Sequence, residues 1–91
     1  MRWLARVFVT PKDGILDPQG QAVQRSLHTL GYPEVADVRI GKYLELRLVD
    51  VSRESADRRV REMCDRLLAN QVIENARFEL EEASEPAREH G

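Results

Sequence analysis

Few residues of this chain have a type and spacing that chemistry requires. Gly41-Lys42 is the pair that ends a phosphate-binding loop, but that motif needs an upstream glycine and a following hydroxyl, and Tyr43 follows instead. The pair reads as the tight turn of a hairpin, with glycine at the first central position. Cys64 is the single cysteine and falls within an apolar helical stripe, so a packing role outweighs that of nucleophile or redox sensor. His28 lies off the main stripe of its helix, where exposure is expected rather than general-base work. With His90 the only other histidine, no metal-ligand spacing exists. Asp17, Asp37, Asp50 and Asp57 are scattered over different elements, and nothing pairs two carboxylates across a cleft. Asn70 stands between a helix and a strand, where its amide can cap backbone groups or meet a partner; capping is the favoured reading. No catalytic residue and no metal site is expected.

The elements that would carry these residues follow from periodicity. Trp3, Ala5, Val7 and Val9 alternate with Leu4, Arg6, Phe8 and Thr10, which predicts a first strand over Trp3–Thr10. A loop over Pro11–Leu16 leads to Asp17 as a cap and Pro18 as the first residue of a helix. Val23, Leu27 and Leu30 form its apolar side, and Gly31 with Pro33 stops it, giving Pro18–Leu30. Val35–Ile40 and Tyr43–Val49 both alternate, predicting antiparallel second and third strands, with Ala36, Val38, Ile40, Leu44, Leu46 and Leu48 turned inward. Ser52 caps a second helix striped with Ala56, Val60, Met63, Cys64 and Leu67, supported by outward Glu54–Arg58 and Asp57–Arg61 pairs. Val72–Leu80 reads as the fourth strand. Residues 1–80 thus form a single domain, and 81–91 read as a disordered acidic tail.

The order β-α-β-β-α-β is that of a ferredoxin-like α+β fold: a four-stranded antiparallel sheet with two helices on one face. The other face would carry Leu4, Phe8, Val35, Tyr43 and Val49 threaded with Arg6, Arg39, Glu45, Arg47 and Arg77, a mixture that suits a protein interface. Leu4, Phe8, Tyr43, Arg47 and Arg77 are the candidate oligomer-face residues.

Size and charge narrow the function classes. A chain of 91 residues, 42% hydrophobic and 33% charged, makes one small core. Such a domain buries only about 60–65% of its unfolded surface, so association is an expected supplement to stability. It has little material to wall a catalytic pocket, which usually needs roughly 300 Å³ or more. The net charge of −2, with both signs interspersed, provides no field for a phosphate backbone, so nucleic acid is not an expected partner. Met1–Thr10 carries Arg2 and Arg6 and lacks a long apolar core, so neither a signal peptide nor a membrane span is expected, and the chain should be cytoplasmic.

Three segments, Gly14-Ile15-Leu16-Asp17-Pro18-Gln19-Gly20, Val38-Arg39-Ile40-Gly41-Lys42 and Leu67-Leu68-Ala69-Asn70-Gln71-Val72-Ile73-Glu74, together resemble the PurS family in order and spacing. The similarity runs from about Val7 to Leu80, with departures at Gln71, where proline is common, and at Asn75-Ala76. The resemblance implies a subunit of phosphoribosylformylglycinamidine synthase, the glutamine-hydrolysing, ATP-dependent ligase of purine biosynthesis. In that family a glutaminase subunit frees ammonia and a large synthetase subunit adds it to formylglycinamide ribonucleotide. The small subunit, as a homodimer or dimer of dimers, joins the two and performs no catalysis itself. ATP, magnesium and glutamine would then be used by the partners, with no cofactor bound by this chain. Asp17, Gln19, Gly20, Arg39, Lys42 and Asn70 are the implied partner contacts. Two other readings compete. A small regulatory ligand-binding domain of the same fold predicts a saturable ligand; an RNA-binding sheet needs exposed aromatics, for which Phe8 and Tyr43 are present but a basic field is not.

Overall fold

The computed structural model describes residues 1–83. Five elements of regular structure follow in the order β1 (Arg2–Pro11), α1 (Pro18–Thr29), β2 (Lys42–Val49), α2 (Arg53–Met63) and β3 (Glu74–Glu82), with a π-helical turn, Cys64–Leu68, continuing α2. The fold is α+β, with two helices and an antiparallel sheet of strand order β2-β1-β3. Val7 lies opposite Leu44 on one side and Phe78 on the other. The strand richest in apolar residues takes the centre, while charged residues mark the two outer strands, as unpaired edges require.

Alternation along β1 turns Trp3, Ala5, Val7 and Val9 toward α2, and Ala56, Val60 and Cys64 of the helix stripe close over them. Val7, Val9 and Val60 are fully enclosed, each contributing about 1.5–3 kcal/mol through burial. Trp3 donates its indole N–H to the Val51 carbonyl (2.9 Å), so its polar edge is satisfied inside the core. Ser52 accepts from the Ser55 amide (3.2 Å) and starts α2 as its sequence predicts. Arg61 pairs with Asp57 (2.9 Å). The expected Glu54–Arg58 pair does not form; Arg58 donates to the Ser55 hydroxyl instead.

Among the described residues the sheet has three strands, and the predicted second strand, Val35–Ile40, is not one of them. Two of its carbonyls are taken by side chains of α1: Gln24 donates to Val35 (3.2 Å) and Ala36 (2.8 Å), and His28 Nε2 to Val35 (2.7 Å). The amide of Ile40 goes to Asp17 (2.9 Å). The groups met this way are withdrawn from any ladder. Gly41-Lys42 is therefore not a hairpin turn. Gly41 is instead where the chain passes against β1, and Lys42 already pairs with Val9.

Helix α1 is not seated on the sheet with α2; Gly20 is its only buried residue, and Val23 and Leu30 remain exposed. Its ends match expectation. Asp17 caps the start, and Gly31 (φ +104°) stops it while the Tyr32 amide reaches back to the Leu27 carbonyl (3.0 Å). In α2 the stripe also breaks near its end. The π turn, closed by the Ala69 amide on the Cys64 carbonyl (3.1 Å), leaves Leu67 81% exposed instead of buried. The last strand begins at Glu74, because Asn70 folds Val72 and Ile73 into a turn, and it runs through Glu81 and Glu82. These two residues were expected in the tail; residues 84–91 lie outside the described part.

Candidate partner-contact surface

The residues singled out in the loops gather at one end of the sheet, where β1 ends and β2 and β3 begin. Asp17 is the junction. One carboxylate oxygen accepts from the Gly20 amide (3.0 Å) as the cap of α1, and the other accepts from the Ile40 amide (2.9 Å) across 23 positions of sequence. These two N–H donors, aided by Arg39, hold the Asp17 carboxyl below the usual carboxylate range. Gly20 permits the closeness of the two segments, since a Cβ there would stand 2.2 Å from the Val38 carbonyl oxygen. Arg39 donates to the Pro11 carbonyl and pairs with Asp13 (3.1 Å), tying the same segment to the end of β1. Lys42 Nζ donates to the Leu68 carbonyl (3.2 Å) at the close of the π turn, and the Lys12 amide to Ile73 (2.9 Å).

Asn70 acts as a cap. Its side chain accepts from the Val72 amide (3.0 Å), while its own amide donates to Glu74 (2.8 Å). Asp17, Gly20, Arg39 and Lys42 thus share one cross-linked loop cluster, with Asn70 on the adjoining turn; Gln19 is exposed on the first turn of α1. The hollow among the loops is about 150 Å³, below the size of ordinary small-molecule sites. Asp17, held as an ionised acceptor, is unsuited to proton donation near neutral pH.

The chemistry-bearing types elsewhere are equally engaged. Cys64 is buried, and desolvation, reinforced by Asp65, pushes its thiol above its ordinary value, away from thiolate chemistry. His28 donates to Val35. On the outer sheet face Phe8 and Tyr43 stack at 5.2 Å, and the Arg77 guanidinium covers Phe8 at 4.1 Å. Arg6 is bonded to Glu81, and Tyr43 donates to Glu45 (2.8 Å). Leu4 is covered by its surroundings, and Arg47 alone of the oligomer-face candidates finds no polar or ring partner among the described residues. A base-stacking platform would need the Phe8 face that Arg77 occupies.

Gln24 is the functional side chain that the periodicity reading passes over. The signal was available: Gly20, Gln24 and His28 recur at four-residue spacing on one side of α1, the side that receives Val35–Ile40.

The family model for PurS, described as phosphoribosylformylglycinamidine (FGAM) synthase, matches residues 4–82. A Bacillus subtilis phosphoribosylformylglycinamidine synthase subunit PurS is 54% identical over 77 residues, covering 85% of this chain and 90% of that one. The chain belongs to the PurS family. Among PurS structures, the B. subtilis protein in its C2 crystal form has a TM-score of 0.78 at 52% identity and covers 88% of this chain and 99% of its own. A chain in the structure of PurLQS from Thermotoga maritima reaches 0.76 at 26% identity, covering 91% and 99%. The PurS family match thus takes in the whole loop cluster, β2, β3 and β1 from Leu4 onward.

A charge test isolates the junction. Asp17→Asn is expected to keep an acceptor for the α1 cap but to set an amide donor against the Ile40 N–H, releasing Val38–Ile40 while the sheet stays folded. Because the folded pKa of Asp17 lies below its unfolded value of 3.8, its contribution is present above about pH 4 and is lost as pH falls through the lowered value. The Gly20 and Ile40 amide resonances should therefore titrate together below pH 4 in the native chain and not in Asp17→Asn. Separate titration of the two amides would contradict a shared carboxylate.

Proposed function

We propose that the chain is the non-catalytic assembly subunit of phosphoribosylformylglycinamidine synthase, joining its glutaminase subunit to the large ATP-dependent synthetase subunit. The observation that carries this reading is the loop cluster: the three PurS-like segments meet there in a backbone fixed by Asp17, Arg39 and Lys42, with little hollow for a substrate. A cross-linked surface with so small a hollow suits docking of a protein better than turnover. Ammonia freed into water is diluted and protonated, so a clamp that holds donor and acceptor sites together raises its effective concentration at formylglycinamide ribonucleotide. ATP, magnesium and glutamine belong to the partners in this scheme. The complex works in the cytoplasm, and the chain enters it as a homodimer or dimer of dimers. Its ferredoxin-like plan then has one strand position, beside β2, that a single copy leaves open.

Sedimentation of the chain with both partner subunits tests the docking surface. The native chain should produce one particle containing all three subunits. Arg39→Ala with Lys42→Ala should weaken its formation by about tenfold or more, the effect of a few lost charged contacts at an interface. Co-sedimentation unchanged by both substitutions would remove the loop cluster from the docking surface.

A further inference from the structure

Two surfaces of the chain are incomplete, and one segment joins them. β2 is bonded to β1 along one side and, among the described residues, has no strand on the other, so a row of backbone donors and acceptors faces outward. Helix α1 buries only Gly20 and leaves Val23 and Leu30 of its apolar side exposed. Between them runs Val35–Ile40, which side chains hold at its two ends: Gln24 and His28 at Val35 and Ala36, and Asp17 at Ile40.

We propose that Val35–Ile40 is a strap with a second position. Released from α1, it pairs antiparallel with the outer edge of β2 in the same chain and draws α1 onto the sheet beside α2.

The register of the closed strap follows from side-chain matching. With Val38 opposite Leu46, Ile40 meets Leu44 and Ala36 meets Leu48 on the helix-covered face, while Arg39 meets Glu45 and Asp37 meets Arg47 on the other. Arg47 is exposed and otherwise without a polar or ring partner among the described residues. A shift of one residue sets Val38 against Glu45 and turns the apolar set to the wrong face. A shift of two sets Asp37 against Glu45 in one direction and Arg39 against Arg47 in the other. Only the first register joins opposite charges twice, and its connection contains Gly41, as short hairpin loops favour.

The path of the chain fits this closure. The closed strap runs parallel to β1, so α1 must cross from the end of β1 to the start of the strap. Its 12 residues span about 18 Å, against roughly 20 Å for a six-residue strand. The crossovers β1-α1-strap and β2-α2-β3 run in opposite senses across the sheet, and right-handedness puts both helices on the same face. Val23, Leu27 and Leu30 then gain the sheet as cover. An open apolar hollow lined by Leu46, Met63 and Leu67 lies beside the edge where α1 would settle. Closing withdraws Ile40 from Asp17 and Arg39 from Pro11 and Asp13, so it also takes down the loop cluster. That consequence for docking rests on the proposed function; the closure itself does not.

The test traps the strap in the full chain, with Cys64→Ala so that no other thiol is present. Asp37→Cys with Arg47→Cys joins two exposed positions that face each other when the strap lies on β2. Asp37→Cys with Tyr43→Cys joins exposed positions nearer in sequence but about 13 Å apart in that register, beyond disulfide reach. Under a slow oxidant the first pair is expected to link within single chains at least about tenfold faster than the second, whereas a loop without fixed register would link the shorter pair first. Adding Gln24→Ala and His28→Ala, which release the strap from α1, should raise the first rate about tenfold further, with circular dichroism checking that the helices persist. Equal or reversed rates, linkage only between chains, or a first rate that the release leaves unchanged would overturn the closed form.

Discussion

Gly41→Ala is expected to destabilise the fold by about 3 kcal/mol, lowering Tm by roughly 10–20 °C. The reason is backbone proximity. A Cβ at position 41 would stand 2.0 Å from the Val9 carbonyl oxygen, 3.0 Å from its carbon and 3.1 Å from the Thr10 Cα. Val9 belongs to the central strand, bonded on both sides and facing α2 with Val7, so relief requires moving the strand that organises the core. Gly20 is the instructive control. Its Cβ would also fall close to a carbonyl oxygen, 2.2 Å from Val38, but Val38 lies in a segment outside the sheet that can yield. Alanine also recovers part of the glycine penalty within a helix. Gly20→Ala should therefore cost about 1 kcal/mol and act mainly on the link between α1 and Val38–Ile40. Chemical denaturation of the two variants checks the difference. Equal losses, or a Gly41→Ala protein within about 1 kcal/mol of native, would show that β1 is not held as tightly as its position implies.

The contrast between these glycines also explains which parts of the structure were legible in the sequence. Alternation in β1 and the stripe of α2 were readable because burial alone decides them, and Trp3, Ala5, Val7, Val9, Ala56, Val60 and Cys64 lie where their period places them. The caps at Asp17 and Ser52 and the stop at Gly31 were readable because each rests on local chemistry. Val35–Ile40 was misread because alternation reports only a pattern of side chains, whereas strand formation needs a free backbone; Gln24, His28 and Asp17 claim that backbone from a distance in sequence. The Gly41-Lys42 turn was misread with it, since a glycine needed for close approach looks the same as one needed for a turn. Leu67 left the buried stripe because a single wide turn changes the helical phase, and no residue type announces that change. In the candidate site, Asp17 was assigned its cap but not its second bond to Ile40, and Arg39 was selected without Pro11 and Asp13. Those contacts depend on how three loops meet, which spacing along the chain does not specify.

The second large effect concerns the complex. A clamp that performs no chemistry acts on transfer between sites, so its removal should separate two activities that share one product. Synthesis driven by externally supplied ammonia depends on the synthetase alone and should persist without the chain. Synthesis driven by glutamine needs both active sites held together, and should fall by at least about a hundredfold, within the range that effective concentration supplies. The most direct measurement is therefore the rate of formylglycinamidine ribonucleotide formation by the purified synthetase and glutaminase subunits, from glutamine and from ammonium salt, with and without this chain. Glutamine-dependent synthesis that appears only when the chain is added, beside an ammonia-dependent rate that hardly changes, is the predicted result. Equal glutamine-dependent rates with and without the chain would contradict the assembly role.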